Sequence, residues 1–332
     1  MAETAEPTVI AGRDGLAGTI LMNRPRALNA LDSGMIAAIH DALRGFREDP
    51  TMQLVLLEGA GGRAFCAGGD VRRMRELALA GDAAGIEAFF AAEYAMNLAI
   101  AECPKPWVSL IDGVCMGGGI GVSVHGSHRI VTEHALLAMP ETAIALFPDV
   151  GTSFVLPRLP GALGLWLALT GARLTGAEAV EAGLATHFVP RERLPALRAA
   201  LAAEGIAALE RFAAPVAPGT IAALRPAIDR CFAQPSLPAI RAALEAEGTD
   251  WARAQLAALA KMSPTSLAVT LELLRRGAGL DLAACLRMEL ALTRRVTFHP
   301  DFAEGVRAVL VDKDSAPRWA PEADPATLFA EV

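Results

Sequence analysis

Two spacings of apolar residues divide the chain. As far as about residue 190, short apolar runs bounded by glycine, proline or aspartate alternate with longer segments whose apolar positions recur every three or four residues. The short runs predict strands and the longer ones helices. TVIAG and LAGTILM, separated by Arg13-Asp14-Gly15, predict a hairpin over 8–22. Pro25 ends its second strand, and Asp32 or Ser33 stands where a helix N-cap is needed. In the following segment, SGMIAAIHDALRGFRED, the residues Met35, Ile36, Ile39, Leu43 and Phe46 fall on one face, with His40 beside it on the surface. MQLVLLEGAG predicts another strand, and AFCAGGDVRRMREL a loop at Gly68-Gly69 followed by a helix that starts near Asp70. A carboxylate there suits the positive end of the helix dipole. An alanine-rich helix over 82–102 carries Glu93 and Tyr94, the only tyrosine.

Pro104 and Pro106 break the chain before WVSLI, which predicts a buried strand. Gly117, Gly118 and Gly119 follow where the chain turns from strand to helix. TSFVLPRLPG and ALGLWLALTG predict helical pieces, and GAEAVEAGLATHFVP a helix, a glycine stop and a short strand. Alternation over 8–190 implies an α/β fold with mostly parallel strands and helical crossovers. From about Leu194 to Glu304 nearly everything is helix-compatible, with Ser263-Pro264 as one helix start, and 311–327 is a polar, proline-rich stretch expected on the surface. The expected division is therefore 1–195, an α/β core, and 196–332, a helical region.

Composition narrows the function. Of 332 residues, 53% are hydrophobic and 20% charged, enough apolar sequence for a full core. The net charge of −7 argues against nucleic acid or an anionic membrane held by whole-protein charge. An anionic small molecule would have to be met by local arginine and backbone amides. Cys66, Cys103, Cys115, Cys231 and Cys285 are scattered, with no CxxC spacing, so zinc and a disulfide framework are not expected. MAETAEPTVIAGRDG lacks the basic and apolar segments of a secretory leader and the arginine-rich pattern of a transit peptide. No apolar run reaches the ~18 residues of a membrane span. The compartment these features imply is the cytoplasm.

The chemistry concentrates in Trp107–Gly151. Glycines at a strand-to-helix turn let a ligand approach the backbone. Two such loops, at Gly69 and Gly118, could present two amides to one oxygen, the minimal oxyanion hole. Glu141, in MPETA, and Asp149, in FPDVG, stand eight positions apart in apolar surroundings, where a carboxylate becomes a tunable acid or base. The run GGGIGVSVHG loosely matches a dinucleotide loop, but no strand ending in Asp or Glu follows about 20 residues on, so a nucleotide fold is not favoured. Arg72, Arg73 and Arg75 are expected to be a solvated helix face. His125, His128, His187 and His299, with no recognised nucleophile partner, are read as structural.

LMNRPRALNALD, AFCAGGDVRRM, KPWVSLIDGVCMGGGIGVSVHGSHRIV and LLAMPETAIALFPDVGTSFVLPRL, in this order, resemble the enoyl-CoA hydratase/isomerase (crotonase) superfamily. Within it, MPETAIALFPDVG and the distal SPTSL and HPDFAEGVRAVLVDKDSAPRW are similar to the 3-hydroxyisobutyryl-CoA hydrolases, over nearly the whole chain. The resemblance implies a crotonase-like spiral of ββα turns with a C-terminal helical region. It also implies a thioester carbonyl held by the amides of Gly69 and Gly118, Glu141 as the reactive carboxylate, and Asp149 on the 3-hydroxyl or the leaving thiolate. Glu93 falls at a further substrate-binding position of those hydrolases, although an exposed helix glutamate is an equal reading. Arg26, after NRP, could meet a CoA phosphate. Plain hydration is expected to need a second glutamate two positions after the glycine run, where this chain has Gly121. A hydratase or isomerase is thus the alternative. No metal or redox cofactor is implied, CoA being part of the substrate. The superfamily often forms trimers or dimers of trimers, so the resemblance leaves open a homo-oligomer or a chain whose long helical tail folds back over the core instead. The hydrolase resemblance also implies valine breakdown.

Overall fold

The computed structural model describes residues 6–330; the N-terminal reading above rests partly on residues 1–5, which lie outside the described residues. Among the described residues ten strands form: β1 Val9–Asp14, β2 Ala17–Met22, β3 Leu54–Gly59, β4 Ala64–Cys66, β5 Trp107–Ile111, β6 Val114–Met116, β7 His128–Val131, β8 Leu136–Ala138, β9 Leu174–Thr175 and β10 His187–Phe188. β1 and β2 are the expected antiparallel hairpin. β2 then pairs in parallel with β3, β3 with β5, β5 with β7 and β7 with β10, giving a six-stranded sheet. A four-stranded sheet runs β4-β6-β8-β9. Successive turns of chain thus lay one strand in the large sheet (β3, β5, β7) and the next in the small one (β4, β6, β8), in a repeating ββα order.

The chain divides into two compact units, each assembled from three segments. The first comprises the chain up to Gly69, Ala95–Leu137 and Leu174–Ala217, and holds both sheets. Strand alternation puts Ala17, Leu54, Leu56, Val108, Leu110 and Ile130 on one face of the large sheet, where they pack with Leu197 and Leu201 of the helix Leu194–Glu204. The opposite face is also apolar and buried, as Val55, Leu57, Trp107 and Val131 show, which suits parallel strands. Asp32 caps the helix Ser33–Glu48, accepting from the Met35 amide at 2.8 Å, and the five apolar residues named from the pattern are the buried ones.

The second unit comprises Asp70–Tyr94, Ala138–Arg173 and the chain from Pro218 onward, and is largely helical. The boundary expected at residue 195 therefore falls one residue inside the helix Leu194–Glu204 of the first unit. The reason is that two internal segments group with the distal helices, and such long-range grouping leaves no compositional mark. Ser263 caps the helix Pro264–Gly277, as its Ser-Pro signal implies. The arginine cluster differs from expectation: Arg73 pairs with Glu76 at the surface, but Arg75 donates to the Ala303 carbonyl at 2.8 Å and Arg72 to that of Leu310. They satisfy carbonyls in and just beyond the helix Pro300–Val306, where cations are favoured.

Candidate active site

The candidate residues fall into two groups, each within one unit. The first is a pair of glycine loops. β4 and β6 are parallel neighbours, with Cys66 opposite Cys115, so the loops leaving their C-terminal ends start side by side. Gly68 (φ 118°) and Gly117 (φ 49°) adopt backbone that side chains rarely enter. The approach is close: a Cβ on Gly119 would overlap the Cys66 carbonyl. Gly118 opens the helix Gly118–Val124, so its N–H has no partner one turn back. Leu31 bridges to Gly69 by donating to the Gly68 carbonyl at 2.8 Å, a parallel pairing that leaves the Gly69 amide free of the bridge. Arg26, also in this unit, is exposed on the short turn Pro25–Ala27.

The second group is a set of buried acids. Glu93 lies on the helix Ala83–Ala101 and Glu141 opens a 3-10 turn, Glu141–Ile144. Asp149 precedes a tight turn, and Glu289 lies on the helix Leu282–Val296. Their exposures are 2%, 6%, 4% and 0%. Carboxylates so buried are pushed toward their neutral forms. Burial lifts Glu93 well above the usual carboxylate range, and the charge of Asp149 adds to it. Burial, then Asp149, does the same to Glu141. Asp149 is raised to about 6 by burial, against the pull of the Tyr94 hydroxyl, which donates to Oδ2 at 2.7 Å. Glu289 is raised to about 8, again by burial first and Asp149 second. Asp149 is therefore the more readily ionised of these last two. Glu93 Oε1 and Glu141 Oε2 are buried with no hydrogen-bond partner among the described residues. Such oxygens stand ready for a ligand or water.

The structure thus brings Gly69 and Gly118 onto neighbouring loops, and gathers Glu93, Glu141 and Asp149 around shared electrostatics. Glu93 is not the exposed helix residue that sequence allowed. Two members escaped the sequence reading. Tyr94 was noted only as the single tyrosine. Glu289 carries a signal that could have found it: it is a glutamate on the apolar face made by Cys285, Leu286, Met288 and Leu292. Of the histidines, His128 and His187 stack at 5.8 Å, and His299 accepts from the Asp301 amide. Four of the five cysteines, Cys66, Cys115, Cys231 and Cys285, are buried.

A buried acid set and paired glycine amides are parts for acyl-thioester chemistry. The chain belongs to the enoyl-CoA hydratase/isomerase family, whose sequence pattern matches residues 17–327. It has the crotonase fold in its ββα turns. Among similar proteins is the mitochondrial 3-hydroxyisobutyryl-CoA hydrolase of Xenopus laevis, 46% identical over 93% of this chain and 83% of that one. The crystal structure of a carnitinyl-CoA dehydratase from Mycobacterium thermoresistibile superposes with a TM-score of 0.93, at 39% identity, over 98% of this chain and 97% of that one. That of an enoyl-CoA hydratase from Rhodobacter sphaeroides 2.4.1 does so with 0.90, at 43% identity, over 97% of each. The cytoplasmic placement expected from the N-terminal composition is withdrawn, because the hydrolase it matches is named as mitochondrial. Among the described residues, no helix is long and apolar enough to cross a membrane.

Proposed function

We propose that this chain hydrolyses 3-hydroxyisobutyryl-CoA, or a close relative such as 3-hydroxypropionyl-CoA, to the free hydroxy acid and CoA, in valine breakdown. The observation that carries the reading is the buried pair Glu141 and Asp149 in a chain that has Gly121 where a hydratase needs its second glutamate. Similarity to a named hydrolase over nearly the full length supports it.

In this mechanism the amides of Gly69 and Gly118 hold the thioester oxygen, which gains charge when the carbon is attacked. Each such donor is worth ~2.7–4 kcal/mol in the transition state. Glu141 acts either as the nucleophile, giving a mixed anhydride that water opens, or as the base that takes a proton from the attacking water. Its raised pKa makes the ionised form a stronger base than an ordinary carboxylate. The carbon–sulfur bond breaks, and the CoA thiolate takes up a proton. Asp149 binds the 3-hydroxyl or assists that proton transfer. Glu93 contributes to substrate binding and Arg26 to a CoA phosphate. CoA enters as part of the substrate, and the route uses no metal or redox cofactor.

Similarity to a carnitinyl-CoA dehydratase and to an enoyl-CoA hydratase favours a second reading, hydration or dehydration of an enoyl-CoA. A thiol reagent separates the two. With 3-hydroxyisobutyryl-CoA, hydrolysis releases free CoA, whereas a lyase changes absorbance at the conjugated thioester and releases none. A panel of acyl-CoAs with and without the 3-hydroxyl should show strong preference for the hydroxylated members, because a buried group left unpaired by the wrong substrate is costly. Release from all members at one rate would contradict the role given to Asp149.

Tyr94→Phe removes the donor that stabilises ionised Asp149. The folded-state pKa of Asp149, about 6 with the donor in place, then rises. The acidic limb of the kcat–pH profile is expected to move to higher pH, and an unmoved limb would show that Asp149 ionisation does not set it.

A further inference from the structure

We infer that Glu289 is a positioning residue: it fixes the turn that aims Asp149 and so sets the preference for a 3-hydroxyl. The inference rests on the reading of Asp149 given above.

Glu289 stands 138 positions after Gly151 in sequence, fully buried on the apolar face of its helix. Burying a carboxylate needs compensation. Here the compensation comes wholly from the turn after Asp149. The Gly151 amide donates to Oε2 at 2.7 Å, and the Ser153 amide to Oε1 at 3.1 Å. The Ser153 hydroxyl also donates to Oε1. No arginine or lysine pairs with Glu289 among the described residues.

The turn it grips is one the chain would not hold alone. Val150 sits at φ 53° and Gly151 at φ 79°. A β-branched residue in the left-handed region is an outlier, and such backbone persists only where its surroundings over-determine it. The Thr152 amide closes the turn on the Asp149 carbonyl at 3.0 Å. Tyr94 thus holds the Asp149 carboxylate, and Glu289 holds backbone that follows it. Each oxygen of the carboxyl group keeps a lone pair for one of these amides. A glutamine there keeps the volume but turns an NH₂ toward one of the two amides.

The test compares kcat/KM for 3-hydroxyisobutyryl-CoA with that for isobutyryl-CoA, in wild type, Asp149→Asn, Glu289→Gln and Ser153→Ala. The wild type is expected to favour the hydroxylated substrate, and Asp149→Asn to lower that ratio at least tenfold. Glu289→Gln should lower the ratio by a similar factor, with a thermal melt confirming a folded protein. Ser153→Ala, which removes one donor of the three, should lower it about threefold even if Glu289→Gln does not fold. A purely structural role would slow both substrates equally and leave the ratio unchanged. That outcome in Glu289→Gln, or in Ser153→Ala where the former is unfolded, overturns the inference while the effect of Asp149→Asn keeps the reading of Asp149. An unchanged ratio in Asp149→Asn overturns both.

Discussion

Glu141→Gln is expected to lower kcat for CoA release by about 10³-fold or more while substrate affinity stays within about tenfold, the pattern of a group that acts mainly in the transition state. The substitution is nearly isosteric at a position only 6% exposed, so it leaves the 3-10 turn Glu141–Ile144 without new crowding. What it removes is a carboxylate oxygen, Oε2, that makes no hydrogen bond among the described residues. A structural glutamate would have spent that oxygen on the protein. Glutamine can neither attack the thioester nor take a proton from water near neutral pH, so both routes fail together. Turnover by the variant at the wild-type rate would remove Glu141 from the mechanism.

The second large effect concerns the backbone. Gly119→Ala places a Cβ against the carbonyl oxygen of Cys66, with the Cys66 carbonyl carbon and Cβ each at 3.0 Å. The obstacle is main chain at the end of β4, so neither loop can yield by turning a side chain. The helix that begins at Gly118 must draw back from the loop holding Gly69. Two donors that share one oxygen act within a few tenths of an ångström. Losing one of them costs about 10²–10³ in rate. We expect kcat/KM to fall by about that factor in a protein whose circular dichroism remains native. Near-wild-type activity would mean that the two loops do not act on a common oxygen.

Much of the framework was legible because it is written in local pattern. The helix Ser33–Glu48 announces its cap and its buried face in one stretch of chain. The strands β3 and β5 read as apolar runs because parallel strands are buried on both faces. The glycine loops were legible for a related reason: Gly68 and Gly117 take backbone that other residues avoid. Glu141 and Asp149 stood out as acids among apolar neighbours, and the structure buries both.

What sequence left out is what folding assembles from distant pieces. The partner that orders the turn after Asp149 lies on a helix 138 positions downstream of Gly151, and no spacing rule joins the two. The partners of Arg72 and Arg75 are carbonyls more than 200 residues away, so a basic run on a helix read as solvated. The units divide across three segments each, which a single boundary in a linear reading could not express.

The most direct test of the central claim follows the oxygen of water. Turnover of 3-hydroxyisobutyryl-CoA in H₂¹⁸O, analysed by mass spectrometry, should yield free CoA and a hydroxy acid carrying the label in its carboxyl group. Label at the carbon bearing the hydroxyl, with the thioester intact, would contradict the account.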